Sequence, residues 1–343
     1  MGGVVKGGRL LARALRDPAS VTTLDATGWT ALLQIARAEQ LIGTLAARVQ
    51  GLKMPPDAAR ILTDAAASIA QQRIAALWEA EVARRVLKPL GVPVILLKGT
   101  AFLAAGLKAG VGRSVGDLDL LVPRERIGDV EAALLAAGWE WVKPDPYDDA
   151  YYRRWMHELP PLIHRERDRM IDVHHTILPL TARITPDAQA LIADSLPFSP
   201  EPGALRTLSP SDMLIHAAAH LFADGDLAGG MRNLWDVHCL IEEFGVAGLT
   251  QRAQHHGLWR EVARAARLAH ELYDTPIPET WRIWDSGDPL YMRRLTARDG
   301  WGRRTRPLTR FGFYVRSHWL RMPPAMLARH LWTKWRNQGA VGD

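Results

Sequence analysis

Apolar side chains recur every three or four residues in two stretches near the start of the chain. The stretches cover residues 28 to 50 and 56 to 89, and a Pro-Pro-Asp break at 55 to 57 separates them. Because this spacing places apolar side chains along one side of a helix, the pattern predicts two helices. Residues 1 to 90 are therefore expected to form a helical segment.

After residue 90, the spacing of apolar residues changes to one typical of short strands with helices between them. The β-branched run at 92 to 97 and the run from Asp117 to Val122 predict two strands. Between them, residues 100 to 107 are expected to form a helix and residues 106 to 116 a loop. A mixed α/β unit is predicted to begin here.

Further strand patterns follow in the same unit. A helix that ends at Gly138 is expected to lead into a strand at 139 to 142, after which a linker rich in Pro and Asp is predicted. Leu162 to Arg165 and Met170 to His175 are separated by four charged residues, and the pattern predicts that they pair as a hairpin.

Helical patterning returns from Pro210 onward, most clearly at residues 211 to 223 and 231 to 245. The predicted fold class is α+β: a small mixed sheet with flanking helices, preceded by a helical N-terminal segment and followed by a helical C-terminal half. The expected divisions of the chain are residues 1 to 90, 91 to 180, 181 to 300 and 301 to 343.

The composition of the 343-residue chain is that of a globular protein, with 48% hydrophobic and 23% charged residues. No stretch of the sequence reaches the ~18 uncharged apolar residues that would cross a bilayer. Arg9, Arg13 and Arg16 interrupt the apolar positions near the start, so no secretion signal is predicted. The single cysteine, Cys239, cannot form an internal disulfide. A cytoplasmic protein is expected, with peripheral contact to the inner membrane left open.

The positive charge of the chain is concentrated at its C-terminal end. Of the formal net charge of +6, residues 301 to 343 contribute +8, which leaves −2 for the remainder. The basic character therefore belongs to that segment and is not evidence that the α/β unit binds nucleic acid.

Two carboxylates lie at the start of the second predicted strand. Asp117 and Asp119 are two residues apart, so a strand directs both to one face while the intervening leucine points to the other. Asp172 lies between apolar neighbours in a later strand and is expected to project from the face opposite to theirs. Three carboxylates suit Mg²⁺, which prefers oxygen ligands, and a two-metal phosphoryl-transfer site. The Asp-x-Asp pattern alone also occurs where a strand simply enters a turn.

The segment Leu97-Lys98-Gly99-Thr100 precedes these carboxylates, at the end of the first predicted strand. Glycine permits close approach of a ligand, and free backbone N–H groups at a helix N-terminus bind phosphate. The order of strand, glycine, hydroxyl residue, helix and Asp-x-Asp is more specific than either motif alone.

Four segments together resemble a largely uncharacterised bacterial nucleotidyltransferase family of the DNA polymerase beta-like superfamily. They are Leu96 to Thr100, Arg113, Asp117 to Val122 and Ile171 to His174. The resemblance covers residues from about 90 to 240. It implies a nucleotidyltransferase core with two active-site aspartates on one strand and the third on a neighbouring strand, Mg²⁺ as cofactor and a nucleoside triphosphate as substrate.

The resemblance gives Asp117, Asp119 and Asp172 the roles of metal ligands and catalytic groups. It makes Gly99 and Thr100 the counterparts of the superfamily's Gly-Ser element, with Thr in place of Ser. The implied reaction moves a nucleoside monophosphate from the triphosphate to a hydroxyl or phosphate acceptor and releases pyrophosphate. Fold-level analogy does not identify the acceptor.

Three neighbouring residues have two interpretations each. Lys98 and Arg113 could neutralise phosphate charge, or could be a surface charge or a salt bridge to an aspartate. His174 should share the face of Asp172 and could support a carboxylate, or could be a structural histidine. His175 is expected to be structural.

His216 and His220 are four residues apart on a predicted helix, a spacing that can bind zinc, but the sequence offers no evident further ligand. The family resemblance extends into the helix pair that carries these histidines, Arg232 and Asp236, and it implies a helical wall beside the active site. We favour polar packing between these helices. The alternative is a substrate contact by His220, Arg232 or Asp236.

The segment from Phe311 to Trp335 mixes arginines with aromatic residues. It could pack its aromatic face on the domain, lie on an anionic membrane surface, or bind nucleic acid. We favour the first, and nucleic acid is not expected as a partner because no recognised nucleic-acid module is present. The leading prediction is an Mg²⁺-dependent nucleotidyltransferase. The alternatives are an inactive nucleotide-binding module and an accessory protein that acts through the basic segment.

Overall fold

The strands form one mixed sheet in a computed structural model that describes residues 7–143, 145–223 and 225–321. The sheet order is β3-β4-β5-β2-β1-β7-β6. The strands are β1 (Ile95–Leu96), β2 (Asp117–Leu121), β3 (Trp139–Trp141), β4 (Leu162–His164), β5 (Met170–His174), β6 (Leu196–Pro197) and β7 (Arg206–Thr207). The predicted α+β class with a mixed sheet is confirmed.

Helices precede, flank and follow the sheet. The first four are α1 (Gly8–Arg16), α2 (Ala26–Ala38), α3 (Ile42–Arg48) and α4 (Pro56–Leu87). Those between strands are α5 (Lys98–Ala104), α6 (Ile127–Ala136), α7 (Pro146–Trp155) and α8 (Ala188–Ala193). The C-terminal half contains α9 (Pro210–Ala223), α10 (Gly230–Phe244), α11 (Leu249–His255), α12 (Trp259–Tyr273), α13 (Asp288–Leu295) and α14 (Pro307–Arg321). Within the described residues, none of these helices is long and apolar enough to span a membrane.

The helix predicted over residues 28 to 50 is in fact two helices, α2 and α3. Gln40 turns the chain between them with a φ of 56°. The N–H of Leu41 bonds to the carbonyl of Ala36, which is the long-range hydrogen bond of a Schellman helix end. Glycine is usual at such a left-handed position, and its absence here left no stop signal in the sequence.

The linker predicted after residue 142 contains α7. Pro146 is the first residue of this helix, where a missing N–H is tolerated. Arg153, in its last turn, donates to Asp149 one turn earlier and to Glu131 of α6. The Pro and Asp content that indicated a linker therefore belongs to a helix start.

Smaller differences concern element ends. The first strand is shorter than the predicted 92 to 97, and the next helix begins at Lys98 rather than Thr100. The predicted loop at 106 to 116 contains a 3-10 turn at Lys108–Gly110. The two-residue strands β6 and β7 were not predicted, because such short segments show no measurable period.

Strand β2 lies in the middle of the sheet, parallel to β5 and antiparallel to β1. In the β2–β5 ladder, Asp119 lies directly opposite Asp172. Strands β4 and β5 pair antiparallel, which confirms the predicted hairpin. Leu118 and Leu120 are buried on the other face of β2. Because a shift by one residue would expose them, their burial fixes the register that turns the aspartates away from the core.

One continuous cluster of buried apolar residues joins the N-terminal helices, the sheet and the C-terminal helices. It runs from Leu11 of α1 to Phe313 of α14 and includes Leu96 and Leu120 of the sheet. The residue divisions expected from the sequence stay a prediction. The shared core shows that the elements on either side of the sheet are packed together.

Helix α14 contains the described part of the basic aromatic segment. Phe313 is buried and packs edge-on against Tyr291 at 5.0 Å between ring centroids, whereas Phe311 and Tyr314 are exposed. The favoured packing interpretation therefore applies to Phe313. Trp332 and Trp335 lie outside the described residues, and contact with a membrane stays a prediction.

Candidate functional site

The three carboxylates singled out in the sequence meet where β2 and β5 run side by side. One carboxylate oxygen from each of Asp117, Asp119 and Asp172 lies within 4.8 Å of the others. Residues directly opposite each other on neighbouring strands share a face of the sheet, which brings Asp172 to Asp119. Asp117 is exposed, Asp172 is half-buried and Asp119 is buried. The cluster is thus buried on one side and reaches solvent on the other.

Asp172 carries an oxygen that no described protein group satisfies. Its Oδ1 is buried and has no hydrogen-bond partner among the described residues. Burial, with the nearby charges of Asp119 and Glu158, raises the pKa of Asp172 to about 7. A divalent cation would counter this shift, because positive charge favours the ionised form. The cluster offers only oxygen ligands, which fits Mg²⁺.

Two side chains, those of Lys98 and His174, contact the same carboxylate oxygen of Asp119. Lys98 Nζ donates to its Oδ1 at 2.7 Å, and His174 Nε2 lies 3.0 Å from the same oxygen. Although burial would raise the pKa of Asp119, Lys98 and His174 hold it well below its usual range. Lys98 also has a φ of 47°, a left-handed conformation that non-glycine residues rarely adopt outside functional sites and turns.

Glu158 belongs to this group and was missed by the sequence analysis. Its Oε2 lies 3.3 Å from Nδ1 of His174, and the two backbones form an isolated bridge. His174 therefore lies between two carboxylates, Glu158 and Asp119. His157, Glu158 and His174 also form a second group with ligand atoms within 4.8 Å of one another. No spacing pattern links position 158 to the aspartate motifs, so the sequence contained no signal for it.

A cleft of about 390 Å³ adjoins the carboxylates. Its lining includes Lys98, Gly99, Asp117 and Asp119 from the sheet region, and Arg113, His220, Arg232, Asn233, Arg298 and Arg304 from elsewhere. Among the described residues, neither Thr100 nor Asp172 lines it. Thr100 is buried. The cleft is thus acidic where it meets β2 and basic over much of its remaining wall.

Gly99 allows Arg113 to pack closely over α5. A Cβ at position 99 would lie 2.7 Å from Nε of Arg113 and 2.7 Å from a methyl group of Val115. No side chain fits there without displacing one of them. Gly99 therefore helps to place the Arg113 guanidinium at the cleft.

Arg113 and Arg232 share a single carboxylate, that of Asp236. Arg113 Nη1 donates to Oδ2 of Asp236, and Arg232 Nη2 donates to Oδ1 at 2.6 Å. Arg232 Nη1 also donates to the hydroxyl of Thr44 at 2.7 Å. Nε of each arginine is buried and has no hydrogen-bond partner among the described residues. Because two guanidinium groups share one carboxylate, the cleft wall keeps a net positive charge. The two Nε–H donors stay unsatisfied by the described residues.

The predicted helical wall is formed by α9 and α10, which pack against each other. His220 and Arg232 reach the cleft lining from these two helices. His216 is buried, and burial together with the charge of Lys98 lowers its pKa well below the usual value. Within the part of the chain that the structure describes, neither histidine belongs to a group of metal-ligating side chains.

Comparison with curated proteins finds no match. A family model with the description "Uncharacterised nucleotidyltransferase" matches residues 25–274. The match covers most of the chain, includes the three aspartates, Lys98, Arg113 and Arg232, and ends before Arg298 and Arg304. The chain therefore belongs to this nucleotidyltransferase family.

Proposed function

We propose that the protein transfers a nucleoside monophosphate from a nucleoside triphosphate to an acceptor hydroxyl or phosphate, with release of pyrophosphate. The observation that carries this proposal is the cluster of Asp117, Asp119 and Asp172 beside a cleft with a basic wall. Membership of a nucleotidyltransferase family supports the transferase class. The acceptor is an open part of the proposal.

Mg²⁺ would be held by the three aspartates, and when bound it would neutralise phosphate charge and lower the pKa of the attacking hydroxyl. Lys98 and His174 keep Asp119 ionised, so this carboxylate is ready to act as a ligand at neutral pH. Asp172 has an oxygen, Oδ1, without a hydrogen-bond partner among the described residues, and we assign to it the role of proton acceptor.

The proposed reaction is one displacement at the α-phosphorus. The acceptor oxygen forms a bond to the α-phosphorus. The bond from the α-phosphorus to the oxygen that bridges the α- and β-phosphates breaks, and pyrophosphate leaves with that oxygen. The proton of an acceptor hydroxyl passes to the Asp172 carboxylate. Arg113 and Arg232 would stabilise the charge on the phosphates, because they contribute more positive charge than Asp236 neutralises.

The first test is calorimetric titration of each of the four nucleoside triphosphates with Mg²⁺ into the wild type and an Asp117→Ala/Asp119→Ala variant. We expect Mg²⁺-dependent binding of at least one triphosphate, and loss of that binding in the variant. The matched control is Asp64→Ala/Asp129→Ala, which removes two exposed carboxylates from helices α4 and α6. Equal binding by wild type and the Asp117/Asp119 variant would reject the site, and no binding of any triphosphate would reject the function.

A further inference from the structure

A short hairpin between α13 and α14 contributes two arginines to the cleft. Arg298 and Arg304 both line it, and their backbones form an isolated antiparallel bridge. The hairpin lies C-terminal to residues 25–274, the part of the chain that the family model matches. The cleft therefore includes a wall that neither the sheet nor the matched helices provide.

The hairpin is fixed to the end of α2. Arg298 Nε donates to the buried Glu39 at 2.6 Å, and Nη2 donates to the carbonyl of Ala38 at 3.2 Å. Gly302 turns the hairpin with a φ of 72°, and a Cβ there would lie 2.6 Å from the carbonyl oxygen of Gln34. Because only glycine fits this left-handed turn against α2, the hairpin has a defined position relative to the cleft.

Arg304 differs from the lysine and the other arginines of the cleft because it forms no ion pair with a described residue. The paired cations are Lys98 with Asp119, Arg113 and Arg232 with Asp236, and Arg298 with Glu39. Arg304 is exposed, and it forms no ion pair with any residue in the described ranges. Its guanidinium can therefore take up an anion that enters the cleft without first breaking an internal ion pair.

We propose that Arg304 binds the phosphate tail of the substrate nucleotide, which makes the hairpin part of the substrate site. The proposal rests on the proposed function, since the carboxylates in the same cleft are those that would hold the metal of a metal–triphosphate complex. A guanidinium suits phosphate because its planar fork can donate two parallel hydrogen bonds to two oxygens. The attachment of Arg298 to α2 fixes the backbone of the hairpin, so that binding has to order only the Arg304 side chain.

The test compares three variants in calorimetric titrations with Mg²⁺. Arg304→Ala removes the guanidinium, Arg304→Lys keeps the charge, and Arg303→Ala removes an exposed neighbouring arginine that does not line the cleft. The probes are the nucleoside triphosphate that the wild type binds most tightly, its monophosphate, and inorganic triphosphate. Circular dichroism and thermal unfolding establish that each variant is folded.

We expect Arg304→Ala to weaken binding of both triphosphates about tenfold, the effect of one charge-assisted hydrogen-bonding group. Monophosphate binding should change less than about twofold, Arg304→Lys should restore part of the affinity, and Arg303→Ala should resemble the wild type. Equal losses in Arg303→Ala and Arg304→Ala, or no loss in either, would overturn the proposal.

The same experiment separates this inference from the proposed function. If the wild type binds inorganic triphosphate through Arg304 but binds no nucleotide, the phosphate-binding role of the hairpin stands and nucleotidyl transfer is rejected. If nucleotide binds and Arg304→Ala has no effect, only the role of the hairpin is rejected. If no phosphate probe binds, both are rejected.

Discussion

The two sides of the cleft carry opposite charges and are assembled in different ways. The acidic side comes from Asp117 and Asp119 of β2, and the register of the neighbouring parallel strand β5 brings Asp172 next to them. The basic side is gathered from a loop, two helices and the hairpin after α13, and contacts with distant segments place Arg113, Arg232 and Arg298. A carboxylate cluster that could hold a metal can thus follow from local strand geometry, whereas this basic wall depends on packing between segments that are distant in the chain.

The largest effect is expected on the acidic side, from Asp119→Asn. The substitution preserves the shape of the side chain but removes the charge that would hold the metal and that pairs with Lys98. The rate of pyrophosphate release should fall by at least about 10³-fold, equivalent to ~4 kcal/mol of transition-state stabilisation. Asp129→Asn, on the exposed face of α6, should change the rate less than about twofold. A rate above one tenth of wild type would remove Asp119 from the proposed site.

On the basic side, Asp236→Ala should mainly affect stability. It would leave the buried guanidinium groups of Arg113 and Arg232 without their shared carboxylate. The free energy of unfolding, measured with urea, should fall by about 3 kcal/mol or more. Asp129→Ala, which breaks an exposed pair with Arg126, should cost less than about 1 kcal/mol. A similar small loss in Asp236→Ala would mean that the arginines do not need this counter-charge.

A smaller effect is expected from Glu158→Gln, which tests whether the acidic side extends beyond the aspartates. Glu158 lies against His174, which in turn contacts Asp119, so it would position a metal ligand without touching the metal. The Mg²⁺ concentration that gives half-maximal nucleotide binding should rise about 10- to 100-fold. The control is Glu166→Gln, in the exposed turn between β4 and β5. An unchanged Mg²⁺ dependence would limit the role of Glu158 to structure.

The smallest effect is expected from Gly302→Ala, which tests the attachment of the basic hairpin. The left-handed φ and the close carbonyl of Gln34 should make the substitution cost about 1 to 2 kcal/mol in unfolding free energy. Triphosphate binding should weaken by a few-fold as Arg304 shifts, since one misplaced hydrogen-bonding group is worth about 1 kcal/mol. Gly300→Ala, whose added Cβ makes only an ordinary contact with Ala31, should resemble the wild type. Equal behaviour of both variants would show that the hairpin tolerates displacement.

The sequence allowed prediction of the acidic side because its information is local. A period of two places Asp117 and Asp119 on one face, and apolar neighbours mark Asp172 as the polar position of its strand. A salt bridge of Lys98 to an aspartate was one of two interpretations of this residue. The salt bridge to Asp119 is present, and Lys98 also lines the cleft. Arg113 likewise pairs with an aspartate and lines the cleft.

The basic side and its support could not be predicted in the same way. Arg304 was counted with the basic C-terminal segment, because charge composition does not reveal which arginine reaches a distant cleft. Glu158 lies outside every periodic pattern, and its contact with His174 exists only in the folded chain. The end of α2 was missed because Gln40 occupies a position where glycine is usual.

The contact between Arg298 and Glu39 also shows that the family match ends within the part of the chain that packs together. A fragment cut to residues 25–274 would keep the matched sequence, but the buried Glu39 would lose the guanidinium that pairs with it. It would also remove Leu11 and Phe313 from a core that they share with the sheet. The stretch recognisable by common ancestry is therefore smaller than the stretch that must fold together. Expression of residues 25–274 alone is expected to yield an aggregation-prone chain rather than a folded domain.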